Sequence, residues 1–152
     1  MSKNSVIFDL DGTIAIIDKR RKLSTKENGK IDWDIFFDSK NIKLDIPNLP
    51  VIETLNSLKE KGFKIVILSG RLNTTKNATL KWLKKNKVQF DQIKMRENTP
   101  KGKYISDIDL KQKWLNEIGQ ENILCVFDDR KKLVEMWRKN NLTCFQVAEG
   151  DF

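Results

Sequence analysis

Short apolar runs alternate along this chain with stretches whose apolar residues recur at helical spacing, and that alternation confines it to a parallel α/β sheet. The runs are SVIFDL (residues 5–10), FKIVILSG (63–70), the weaker FDQIKM (90–95), ENILCVFDD (121–129) and LTCFQVA (142–148). Between them lie four apolar stripes: Val51, Ile52, Leu55 and Leu58, closed by Gly62; Leu80, Trp82 and Leu83; Leu110, Trp114, Leu115 and Ile118; and Leu133, Val134 and Trp137. Strands joined through helices pair in parallel by right-handed crossovers, so a doubly wound sheet is predicted. At 152 residues the chain is expected to be one domain around one core. Residues 14–49 fall outside the alternation. They open on DKRRK (18–22), carry DWDIFF (32–37), and are too few for a second domain, so a small cap or flap over one end of the sheet is expected.

Ligands of an open parallel sheet bind beyond the carboxyl ends of its strands. At those ends the chain places Asp9-x-Asp11-Gly12-Thr13, Ser69-Gly70-Arg71 and Asp128-Asp129-Arg130. Two carboxylates one residue apart at the mouth of a buried strand repel each other and resist desolvation unless a cation or a reacting group uses them. The residue types fit phosphoryl transfer. A hard divalent ion such as Mg²⁺ takes oxygen ligands, which Asp9 with Asp128 or Asp129 would supply. Asp9 would attack phosphorus, and Asp11 would protonate the leaving alcohol and then deprotonate the attacking water. Ser69, the amides near Gly70 and a cationic side chain would hold the phosphate oxygens.

Composition narrows the chemistry further. The chain has no histidine, which removes Ser-His and Cys-His hydrolase schemes and His-ligated zinc. Its two cysteines, Cys125 and Cys144, sit in apolar strand-like runs and read as buried free thiols. No run approaches the roughly 20 apolar residues of a membrane span, and no secretory signal opens the chain, so a cytoplasmic location with no membrane partner is expected. A net charge of +8, from 29 Lys and Arg against 21 Asp and Glu, suits an anionic partner.

The segments FDLDGT, ILSGR, a downstream lysine and VFDDR, in that order, resemble the four motifs of the haloacid dehalogenase (HAD) superfamily of phosphohydrolases. MRENTPKGKYISDIDLKQKWL (95–115) and VFDDRKKLVEMWRKNNLTCFQVAEGDF (126–152) are similar to the 3'-phosphatase domain of bacteriophage polynucleotide kinase-phosphatases. The resemblance implies a HAD-like Rossmannoid fold with a small cap, Mg²⁺ dependence, and removal of a 3'-phosphate from DNA or RNA ends. By motif it makes Asp9 the nucleophile, Asp11 the acid-base and Lys111 the third-motif lysine, with neighbouring Lys113 open to confusion. Asp9, Asp11, Asp128 and Asp129 would make the metal site, and Thr13, Ser69, Gly70, Arg71, Arg96 and Arg130 would bind phosphate or order the site. No GxxxxGK[ST] cradle occurs, so no kinase half is expected within these residues.

Trp82, Trp114 and Trp137 lie on apolar stripes and read as core, whereas Trp33 sits in the flap between Asp32 and Asp34, where a substrate-facing role is open. DKRRK reads either as solvated surface or as a contact to a phosphate backbone through Lys19, Arg20, Arg21 and Lys22. The closing EGDF is expected to pack against the domain. Two rival functions remain: a small-molecule phosphatase such as a 5'(3')-nucleotidase, and a non-catalytic nucleic-acid-binding module.

Overall fold

The computed structural model describes residues 3–150. In chain order its elements are β1 (Ser5–Phe8), β2 (Ala15–Ile16), α1 (Asp18–Ser24), α2 (Trp33–Phe36), β3 (Ile46–Pro47), α3 (Leu49–Glu60), β4 (Lys64–Leu72), α4 (Lys76–Lys85), β5 (Gln92–Arg96), α5 (Pro100–Tyr104), α6 (Asp107–Ile118), β6 (Ile123–Asp128), α7 (Lys131–Lys139) and β7 (Cys144–Gln146). Five strands form one sheet in the order β5-β4-β1-β6-β7, every pair parallel.

The two-residue period of a strand sends alternate side chains to opposite faces. Val6, Phe8, Ile65 and Ile67 therefore pack on one side with Ile52 and Leu55 of α3 and Trp82 and Leu83 of α4. Ile7, Val66 and Leu68 pack on the other with Leu110, Trp114 and Leu115 of α6 and Leu133, Val134 and Trp137 of α7. The helices begin and end where local chemistry allows. Pro50 occupies the first turn of α3, where its missing N–H costs nothing. The Ser106 hydroxyl accepts the Asp109 N–H to start α6, and Gly119, at φ +89°, ends it. Both cysteines are buried and free.

Residues 14–49 make a built insertion. β2 pairs antiparallel with β3. The Asp32 carboxylate caps the short α2 by accepting from Asp34 and Ile35 N–H, and a 3₁₀ segment spans Ser39–Leu44. Phe36 and Ile42 carry the insertion into the core beneath it. The five-residue α5 was not visible in the sequence pattern; it forms because the Thr99 hydroxyl accepts the Gly102 N–H. The Gly150 carbonyl accepts the Lys131 N–H at 2.8 Å, tying Gly150 of the EGDF segment to the start of α7. Asp151 and Phe152 lie outside the described residues. No helix among the described residues is long and apolar enough to cross a membrane.

Candidate active site

Strand register makes the first contact. Phe8 stands opposite Phe127, and Phe127 opposite Phe145, their rings stacked at 4.5 and 5.0 Å between centroids. One residue on, Asp9 leaves β1 beside Asp128 at the end of β6, and the Asp9 N–H donates to the Phe127 carbonyl at 2.9 Å. Carboxylate oxygens of Asp9, Asp128 and Asp129 lie within 4.8 Å of one another, all buried. Lys111 reaches in from α6 and donates to Asp9 Oδ1 at 2.7 Å and Asp128 Oδ2 at 3.2 Å. The Thr13 hydroxyl bridges Asp9 Oδ2 at 3.2 Å and Asp129 Oδ1 at 3.3 Å. Asp128 is further engaged by the Asp129 and Arg130 N–H groups on Oδ1 and by the Trp137 indole N–H on Oδ2. Gly12 makes room for this cluster: its φ is +85°, and a Cβ there would lie 2.1 Å from Asp129 Oδ2.

Among the described residues, three buried carboxylates meet one ammonium, a formal deficit of two positive charges. Burial, then the charge of Asp128, pushes the Asp9 carboxyl well above its ordinary value, and burial first of all raises Asp129. Burial works against the charged Lys111 ammonium, yet Asp128 and Asp9 outweigh it and raise its pKa. An all-oxygen donor set with a deficit of two positive charges fits one hard divalent cation.

A second cluster balances itself. Arg71, just past the Ser69-Gly70 end of β4's apolar run, donates to Asp11 Oδ1 from Nε (2.9 Å) and Nη2 (2.6 Å) and to Asp45 Oδ2 at 2.7 Å. Arg20 of α1 donates to Asp11 Oδ1 at 2.7 Å and to both oxygens of Asp45, at 2.9 and 3.0 Å. Its guanidinium also lies 4.4 Å over the Phe36 ring. Both arginines are fully buried, and two guanidiniums meet two carboxylates. Burial alone would raise the Asp11 pKa, but Arg71 and Arg20 hold it below the ordinary carboxylate value.

A third cluster gathers around Asp107. Arg96 Nη2 and Arg130 Nη1 both donate to the carboxylate of Asp107, while Arg96 also donates to the Gly70, Gly102 and Ile105 carbonyls. Gly70 permits the approach, since a Cβ there would meet Asp107 Oδ1 at 2.7 Å. The Ser69 hydroxyl oxygen accepts the Arg71 N–H at 3.2 Å.

All the expected site residues thus converge on one sheet edge, but several do different work. The Asp11 carboxylate, expected among the metal ligands, lies outside the three-carboxylate cluster because the two guanidiniums hold it. Thr13, expected on the phosphate, has no exposed surface and ties carboxylates together. Arg71, equally buried, orders Asp11. Lys111, not the exposed Lys113, is the inward lysine. DKRRK divides: Lys19 and Lys22 are exposed, whereas Arg20 is internal, so the four residues do not act as one surface. Asp45 and Asp107 went unread in the sequence, and Arg20 reads there only as surface or as a phosphate-backbone contact. An acid inside the apolar stretch IKLDIP was a signal for Asp45, and spacing one helical turn before Lys111 was a signal for Asp107; nothing local distinguished Arg20 from its basic neighbours.

One family's model, the polynucleotide kinase PNKP phosphatase domain, matches residues 3–152. Among solved structures, a chain of the Pnkp1/Rnl/Hen1 RNA repair complex is 32% identical, with a TM-score of 0.78 over 97% of this chain and 43% of that one. A second Pnkp1/Rnl/Hen1 complex matches at 32% identity and a TM-score of 0.77, over 97% of this chain and 47% of that one. CbbY from Rhodobacter sphaeroides, in complex with phosphate, shares the fold at 11% identity and a TM-score of 0.67, over 99% of this chain and 88% of that one. The chain spans less than half the length of the two Pnkp1 relatives.

Proposed function

This chain belongs to the HAD-type phosphatase domains of polynucleotide kinase-phosphatases, and from that premise we propose that it removes the terminal 3'-phosphate of a nucleic acid with Mg²⁺ as cofactor. Asp9, Asp128 and Asp129 would hold the ion, which supplies charge neutralisation at the transferring phosphoryl group. Asp128, whose oxygens already take four donors, fits the role of a ligand acting through water, and Asp9 and Asp129 that of direct ligands.

Lys111 and Thr13 fix the two oxygens of Asp9. An Asp9 oxygen attacks phosphorus, the bond from phosphorus to the 3'-oxygen breaks, and Asp11 gives that oxygen a proton. Water then attacks the aspartyl phosphate and gives its proton to Asp11, releasing phosphate and restoring Asp9. The two arginines hold the Asp11 carboxyl below its ordinary value, so the proton it gives in the first step is taken up from solvent as the substrate binds. An arriving phosphate dianion opposes them, since a nearby like charge raises a carboxyl pKa, and so favours the protonated form that the first step needs. Arg96 and Arg130, gathered on Asp107, supply the guanidiniums that would meet the phosphate oxygens.

The observation that carries the polymer reading is the family match along residues 3–152. That a 32% identical relative sits in an RNA repair complex supports an RNA end as the substrate. Phosphate release from a 3'-phosphorylated oligonucleotide, its 5'-phosphorylated counterpart and a nucleoside 3'-monophosphate, with Mg²⁺ and then with a chelator, tests it. The first should be preferred, and only with the metal. Equal turnover of all three would favour a small-molecule phosphatase.

A further inference from the structure

Trp33 is 59% exposed, while Trp82, Trp114 and Trp137 are all buried. It is held in place: one face stacks on Phe37, at 5.6 Å and 20° between planes, and its ring meets Phe36 edge-on at 5.5 Å. Phe36 is in turn anchored in the core. The Phe36 ring lies under the Arg20 guanidinium, its carbonyl accepts from Arg20 Nη1 at 3.2 Å, and Arg20 grips Asp11. An exposed indole is therefore mounted, through two rigid contacts, on the side chain that orders the proposed acid-base. The Asp32 cap on α2 fixes the backbone that presents it.

We propose that Trp33 is a stacking platform for a nucleobase of the strand whose 3'-phosphate enters the cleft; this rests on the 3'-phosphatase reading above. Placed end to end, the contacts from Asp11 through Arg20 and Phe36 put the indole within about 14 Å of Asp11, a span that a stacked strand, advancing about 3.4 Å per nucleotide, covers in roughly four nucleotides or fewer. Base stacking on an aromatic face tolerates any sequence, as an enzyme acting on ends requires. A ring already packed on two others loses little conformational freedom when a base arrives. The platform can engage a base only while the terminal phosphate occupies the cleft if the two are covalently joined, so it selects oligonucleotides over isolated phosphate esters.

The test compares wild type, Trp33→Ala and Trp33→Phe on a 3'-phosphorylated single-stranded oligonucleotide and on p-nitrophenyl phosphate. In Trp33→Ala the KM for the oligonucleotide should rise about 5- to 150-fold, the range one stacked base contributes. Its kcat should hold, so the preference over the aryl phosphate falls by the same factor, and Trp33→Phe should restore most of the loss. In the non-turnover Asp9→Asn background, the oligonucleotide should quench tryptophan fluorescence, and adding Trp33→Phe should abolish the quenching. A wild type that prefers the oligonucleotide, with KM and quenching indifferent to Trp33, would overturn the platform, leave the 3'-phosphatase reading intact and give the exposed ring to a protein partner. A wild type with no such preference would instead overturn the reading on which the platform rests.

Discussion

Arg20→Ala is the perturbation that most directly separates a buried ordering network from a basic surface. The wild-type guanidinium has no exposed surface and meets Asp45 twice, Asp11 once and the Phe36 carbonyl once. Its removal leaves the Asp45 side chain, also without exposed surface, with Arg71 alone. Breaking a buried pair costs about 3–5 kcal/mol; the surviving Arg71 contact places this case near the lower bound. At about 2–4 °C per kcal/mol for a chain of this size, the melting midpoint should fall by roughly 6–12 °C, read by circular dichroism. Asp11 loses one of the two guanidiniums that orient it, so kcat should fall on every substrate, p-nitrophenyl phosphate included. Arg20→Lys should not rescue, because an ammonium cannot present the planar fork that meets both Asp45 oxygens and Asp11 together. The comparator is Lys19→Ala with Lys22→Ala, both exposed: it should leave the midpoint and aryl-phosphate turnover alone, and flatten the salt dependence of oligonucleotide binding by about 0.7 per lost phosphate contact. An Arg20→Ala protein that melts within about 2 °C of wild type and keeps its aryl-phosphate turnover would refute the network.

Asp9→Asn should abolish phosphate release, since an amide forms no aspartyl phosphate, while its midpoint in chelator holds or rises because a crowded buried carboxylate has been neutralised; residual wild-type turnover would remove Asp9 as nucleophile. Mg²⁺ should raise the wild-type midpoint by binding the folded form, and Gly12→Ala should lose that rise, because its Cβ would lie 2.1 Å from Asp129 Oδ2 at φ +85°; differential scanning fluorimetry with and without the ion reads both. Away from the site, burial would raise Asp91, but the Lys59 ammonium and the Ile65 N–H hold its carboxyl below the ordinary value. A depressed folded pKa contributes stability above the unfolded pKa and loses it as pH falls through the folded one. Asp91→Asn should therefore be less stable than wild type at neutral pH and converge with it in acid; a pH-independent gap in urea midpoints would contradict the pairing.

What was legible in the sequence follows from how each residue reaches the site. Asp9, Ser69, Gly70, Asp128 and Asp129 stand where apolar runs stop, and parallel pairing carries every such stop to one edge. The period of the pattern therefore locates them before any side chain is placed. Lys111 was legible through its motif and Arg71 through its place after Ser69-Gly70, although period alone could not say that Arg71 turns inward to Asp11. Arg20 and Asp45 arrive from the insertion, whose elements have no sustained period; Arg20 meets Asp11 across 9 residues of chain, and Asp45 joins the network through Arg20 and Arg71, 25 and 26 residues away. Trp137 read correctly as core, yet its indole N–H supports Asp128, a second duty that an apolar stripe does not announce.

Charge shows the same division more sharply. By composition the chain is merely basic, and nothing in its order says where the charges cancel. Only the folded arrangement separates a neutral square, Arg20 and Arg71 against Asp11 and Asp45, from a buried cluster two charges short, Asp9, Asp128 and Asp129 against Lys111. The first is complete as it stands, and its arginines serve to aim one carboxylate. The second has a deficit that desolvation makes costly, and its donors are oxygens alone. The two aspartates of the DxD pair thus belong to opposite electrostatic regimes two residues apart: Asp9 is raised by burial and by Asp128, and Asp11 is lowered by Arg71 and Arg20. On the proposed reading the cation answers the first shift: a divalent charge beside Asp9 favours the carboxylate form that attack on phosphorus requires.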